Sequence, residues 1–179
     1  MKPYMLVLHN KIRFAVKRFS TKKICVEGIQ MFGRNTKLCF GKKSDVHFGE
    51  RIVSDGRMVI IVDDNANLSI GSCVYFNEDA MISCKGRIDI GNGCKFGPNV
   101  KIFDNNHRFD SFNGVSNEHS VGEIIIGEQC WIGSNAVILK GAKIGRNSVI
   151  GAGCIVNGEI PEASIVTQGR ELTVESMRV

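Results

Sequence analysis

What this sequence has little of narrows it first. Only three of its 179 residues are proline, against twenty glycines, a balance that fits frequent regular turns and not a disordered chain. No apolar run approaches the roughly 20 residues that cross a bilayer. The first residues lack the unbroken apolar core and small-residue cleavage site of a signal peptide, so a cytoplasmic protein is expected. Seven cysteines are an odd number, with no C-x-x-C pair among them. That spacing argues against a disulfide framework and a zinc site alike, and predicts buried thiols in a reducing compartment. Acid is missing from one stretch: residues 1–23 hold seven Lys or Arg and no Asp or Glu. The rest of the chain then carries −2 of the overall +5. The basic balance therefore describes one segment, and nucleic acid is not an expected partner.

What is present is a repeat. Ile126, Ile132, Ile138, Ile144, Ile150 and Val156 recur every six residues, and Gly127, Gly133, Gly145 and Gly151 follow four of them. Two residues before the next aliphatic stands a small side chain: Cys130, Ala136, Ala142, Ser148, Cys154. The same rhythm runs through Ile70, Phe76, Ile82 and Ile88, then through Ile90, Phe96 and Ile102, displaced by two. It weakens towards Val26, Phe32 and Leu38, and residues 53–69 fit so poorly that an irregular turn is expected there.

A period of six is neither helical nor that of a plain alternating strand. Short strands ending in turns satisfy it, three to a triangular coil, with coils stacked about 4.8 Å apart. The aliphatic points into the prism, the small residue relieves the corner, and the glycine is expected to adopt the turn's unusual backbone. Residues 24–166, less an inserted loop at 103–122, supply about seven coils. Residues 1–23 form a basic amphipathic segment before them, and 167–179 a tail.

The Ile-Gly-x-x-x-x repeats, ending in Ile150-Gly-Ala-Gly-Cys-Ile-Val-Asn-Gly-Glu-Ile-Pro-Glu-Ala-Ser-Ile-Val166, resemble the hexapeptide-repeat acyltransferases. The resemblance implies a left-handed parallel β-helix, usually a homotrimer, with active sites between subunits. It also implies acetyl-CoA as acyl donor, a saccharide acceptor and no metal.

The rhythm breaks after Ile102 and resumes near Ile126. Between them lies a polar stretch rich in turn formers, holding two of the chain's four histidines. Moving an acyl group from a thioester to a hydroxyl requires a base for the hydroxyl proton, and histidine suits that task. A carbonyl or carboxylate must orient its ring, and Asp104 and Asp110 are both within reach in sequence. Asn105-Asn-His107-Arg-Phe-Asp resembles the catalytic segment of the sugar and streptogramin acetyltransferases, which implies that His107 is the base. His119, later in the same loop, reads as solvated.

Asn77 resembles the acceptor-contacting asparagine of galactoside and maltose acetyltransferases, and equally a turn asparagine of left-handed φ; Asp104 is the other candidate acceptor contact. The resemblance places Trp131 beside the pantetheine arm and Ser134 and Ala152 along the coenzyme A channel. Near the end the family's usual lysine is replaced within Asn157-Gly-Glu159, and Arg170 is the candidate for the lost charge. A carbonic-anhydrase-like metal site is discounted, because His47, His107 and His119 lack the in-repeat spacing.

In residues 1–23, Met5, Leu8, Ile12, Ala15, Val16 and Phe19 fall at helical spacing. The plainer reading is a helix whose apolar side caps the first coil. The other is a helix lying on an anionic membrane, and the two are compatible. Functionally, the leading expectation is an O-acetyltransferase acting on a sugar of a surface polysaccharide or its precursor. N-acetylation of an amino sugar and a non-catalytic β-helix scaffold are the alternatives.

Overall fold

A computed structural model describes residues 3–21 and 23–169. An 18-residue helix, Pro3–Ser20, precedes a parallel β-solenoid of three faces. Two faces hold seven strands and the third holds six, which agrees with the expected coil count. Strands of two to five residues alternate inward and outward side chains. Each strand therefore gives one to three inward side chains to a single column-shaped core. Val46, Leu68, Ile88 and Ile124 stack in register along the first face. Phe76 and Phe96 stack along the second, ring centroids 4.5 Å apart.

Three expectations need correction. Residues 53–69 are regular: Ile52–Ser54, Met58–Val62 and Asn67–Ile70 are strands. The rhythm is hidden there because coils differ in length. Val46 pairs with Leu68 after 22 residues, Leu68 with Ile88 after 20, and Ile126 with Ile144 after 18. The longer coils have five-residue sides, Met58–Val62 and Ala80–Cys84. A second mask is Ser54, which points inward but bonds the Gly33 amide and the Thr36 hydroxyl.

The repeat glycines are also required for another reason than backbone angle. The left-handed residues of the turns sit two positions later, for example Gln129 (φ 57°), Asn135 (φ 58°) and Asn147 (φ 59°). A Cβ on Gly127 or Gly133 would instead meet the next coil's backbone nitrogen, of Arg146 at 2.5 Å or of Ala152 at 2.6 Å. Close approach of stacked coils selects the glycine. The small corner residue does more than relieve crowding. The Cys94 thiol donates to Gly127 O, that of Cys130 to Gly145 O, and the Ser148 hydroxyl to Pro161 O. Each corner is thus tied to the coil above it.

The helix does cap the first coil, but with the other face. Phe14 is buried against Phe32 and Phe48, with ring centroids 5.8 and 5.7 Å away. The buried Asn10 amide donates to Phe32 O at 2.8 Å, and the Arg13 guanidinium to Thr36 O. Met5, Leu8, Ile12, Val16 and Phe19, the residues expected to do the capping, are exposed.

Candidate active site

The break after Ile102 is a hairpin and not an irregular loop. Strands Asn105–Asp110 and Gly114–Val121 pair antiparallel, with a register shift between His107 and Phe109. The connection closes on an Asp side chain: the Asp110 carboxylate accepts from the amides of Phe112 and Asn113, each at 2.8 Å. These bonds hold its pKa below the ordinary aspartate value. Gly114 supplies the left-handed residue (φ 69°) that a three-residue hairpin connection needs.

The hairpin springs from the corner between the third and first faces, and its base is fixed from both sides. Asp104 is wholly buried. Its carboxylate accepts from the amides of Lys85 and Gly86 in the coil below and from the Asn105 side chain. Its carbonyl accepts from Gly122 N at 2.9 Å. From the coil above, Lys140 Nζ bonds Ser120 Oγ at 2.6 Å. Asp104 is therefore the hairpin's anchor, a correction to its expected acceptor contact: its oxygens are turned into the protein.

On this base His107 is exposed, and its Nδ1 lies 3.0 Å from Ser116 O. A carbonyl only accepts, so Nδ1 carries the proton and Nε2 presents its lone pair. Neither carboxylate considered from sequence orients the ring; a backbone carbonyl of the returning strand does. His119 is the cross-strand partner of His107, with ring centroids 4.3 Å apart. Desolvation, the Lys85 ammonium and His107 lower its pKa, against a smaller opposing pull from Asp63. Lys85 is in turn ion-paired with Asp63. His119, expected to be solvated, is instead partly covered against His107. The turn Asp110-Ser-Phe-Asn-Gly114, read as a plain hairpin, would set 107 opposite 117; the register shift between His107 and Phe109 is what brings His119 opposite instead.

The remaining candidates lie elsewhere. Trp131 points outward from the second face, 57% exposed, in register with Lys95 and Val149. Ser134 and Ala152 occupy equivalent positions of successive turns at the corner between the second and third faces. Asn77 lies at that corner too, in an earlier coil, where its Oδ1 accepts from Glu78 N; the left-handed residue of its turn is Asp79 (φ 60°). Arg170 lies outside the described residues. A whole face of the prism thus stands between His107 and the residues assigned to the acyl donor. For metals, among the described residues the ligand atoms of Cys25, Glu27 and His47 lie within 4.8 Å of one another. They sit on the first face near the helix, where His47 Nε2 is paired with Glu27 at 3.0 Å.

Comparison with known proteins fits this geometry. A family model described as bacterial transferase hexapeptide (six repeats) matches residues 123–158. The galactoside O-acetyltransferase of Escherichia coli K12 is 38% identical over 96 residues, 54% of this chain and 47% of that protein. WbbJ of the same strain, whose name assigns it to lipopolysaccharide biosynthesis as an O-acetyl transferase, is 29% identical over 136 residues, 71% of this chain and 65% of that one. This chain spans about half the length of several relatives it matches. Among solved structures, a variant of the N-acyltransferase AntD from Bacillus cereus superposes with a TM-score of 0.67. It is 12% identical, and the match covers 92% of this chain and 89% of that one. The hexapeptide-repeat acetyltransferase VCA0836 of Vibrio cholerae gives 0.54 at 22% identity, over 87% and 71%. Those two likenesses concern the fold. Residues 123–158 thus carry the repeat of the bacterial hexapeptide transferases, within a three-faced solenoid that runs from Lys23 to Val166.

Proposed function

We propose that the protein is an acetyl-CoA-dependent O-acetyltransferase acting on a sugar of a surface polysaccharide or its precursor. The observation that carries this reading is His107, held by Ser116 O so that Nε2 is free, on a hairpin that interrupts the repeat. Nε2 takes the acceptor's hydroxyl proton while the oxygen attacks the thioester carbonyl carbon. The C–S bond then breaks, the thiolate of coenzyme A leaves, and the imidazolium returns its proton to that sulfur. One ester and one free thiol result. Backbone amides at the coil corners are the available donors for the tetrahedral oxyanion.

The donor's arm would run along the corner of Ser134 and Ala152, beside Trp131, where small residues let it approach the backbone. Because a face of the prism separates that corner from His107, the working unit is a trimer in which one copy's hairpin meets its neighbour's corner. Exposed apolar groups on the hairpin, Phe109 and Phe112, and on the second face, Trp131 and Ile165, support such contacts. Its setting is the cytoplasmic side of a membrane, where lipid-linked saccharide is met.

Amine acceptors remain a second reading, because AntD was solved with dTDP-4-amino-4,6-dideoxyglucose and coenzyme A. Thiol release from acetyl-CoA, measured over a panel of sugars and amino sugars, tests both. His107→Ala should lower kcat by at least about a hundredfold with melting temperature unchanged. Full activity in that variant would remove His107 from the chemistry. No thiol release with any acceptor would favour the scaffold alternative.

A further inference from the structure

The face of the N-terminal helix that turns away from the prism is the more apolar of its two faces. At 3.6 residues per turn, Tyr4, Met5, Leu8, Ile12, Ala15, Val16 and Phe19 fill one uninterrupted arc of about 120°. All seven are exposed: Leu8 and Ile12 at 59%, Val16 at 61% and Phe19 at 94%. Of fourteen exposed large hydrophobic residues among those described, six lie on this one helix. Lys11 and Arg18 border the arc on one side and His9 and Ser20 on the other, with no acid from Pro3 to Ser20. The opposite face, with Asn10 and Phe14, is already occupied by the first coil. Capping therefore leaves this arc without a structural purpose. Among the described residues no helix is long and apolar enough to cross a membrane.

We propose that this arc is a docking surface for an anionic membrane. The helix lies in the headgroup plane, its apolar residues reaching the acyl boundary and its lysines and arginines meeting lipid phosphates. The charges favour this occupant over a second copy. Another copy laid on the same arc would set its own Lys11 and Arg18 against these, with no acid on either helix to receive them. The inference gives a physical basis to the membrane setting proposed for the transferase, and the binding itself needs no catalysis.

The test is sedimentation of the full chain with vesicles at low salt. One arm uses phosphatidylcholine with about a third phosphatidylglycerol, the other phosphatidylcholine alone. The protein should pellet with the first and stay in solution with the second. Leu8→Glu/Ile12→Glu, on exposed positions, should weaken partitioning at least about tenfold, with melting temperature and activity on soluble sugars unchanged. His107→Ala should bind vesicles as the parent does, so a failed transferase assay leaves this result standing. Three outcomes would overturn the proposal: no binding to anionic vesicles, equal binding by the double glutamate variant, or a change in that variant's oligomeric mass without a change in partitioning.

Discussion

Asp104 and His107 stand three residues apart and have opposite surroundings. The carboxylate is buried and fully engaged by neighbouring amides; the imidazole is exposed and bonded at one nitrogen. Burial without partners would cost a carboxylate dearly, so Asp104 is where the hairpin is anchored. A free Nε2 costs nothing in water, so His107 is where chemistry can occur. Glycine shows the same dependence on surroundings. Gly133→Ala would place a methyl group 2.6 Å from Ala152 N. Two coils would have to part, at a cost of about 1–3 kcal/mol. A lower thermal midpoint is the expected result, with the circular dichroism of the remaining coils retained. Substitution of Gly158, whose Cβ would meet nothing within 4 Å, is the matching control and should leave the midpoint unchanged.

At the scale of elements, the hairpin depends on its two ends. The base is tied by Asp104 and Lys140, the tip by Asp110. Hydrogen bonds from Asn113 and Phe112 depress the Asp110 pKa in the folded state. A depressed carboxylate stabilises the fold above its unfolded value, near 3.9, and loses that contribution as pH falls through the lowered folded value. The tip should therefore stay closed at neutral pH and open only in strong acid. Amide exchange at Phe112 and Asn113 measures this, and Asp110→Ala should raise it at neutral pH. Protection that did not change with either treatment would remove the tip's dependence on this carboxylate. The helix shows how an element's role is decided by its contacts. Its sequence holds two arcs that could each meet something, and packing of Phe14 with Phe32 and Phe48 selects the less apolar one for the prism.

For the whole molecule, the separation of His107 from the Ser134 corner predicts a site shared between copies. His107→Ala and Ser134→Trp should each be inactive alone, the second because the indole fills the corner along which the donor's arm would pass. Refolded together in equal amounts, they should recover roughly a quarter of parental activity, since random mixing gives that fraction of sites with both halves intact. Zero recovery would place both halves within one copy.

The sequence by itself determined the solenoid, its break and the residue at the break. Those features rest on periodicity and on side-chain type, which are local. A strict six-residue spacing of aliphatics leaves one economical way to bury them, and a histidine in the interruption is visible without coordinates. Tertiary structure alone decided which coils run to 22 residues, which face of the helix is covered, that Ser116 O orients His107, and that His119 lies tilted against it. A backbone carbonyl has no letter in a sequence. Cross-strand neighbours depend on a turn's register, and the choice between two plausible helix faces is made by the energy of the particular rings waiting at the mouth of the prism.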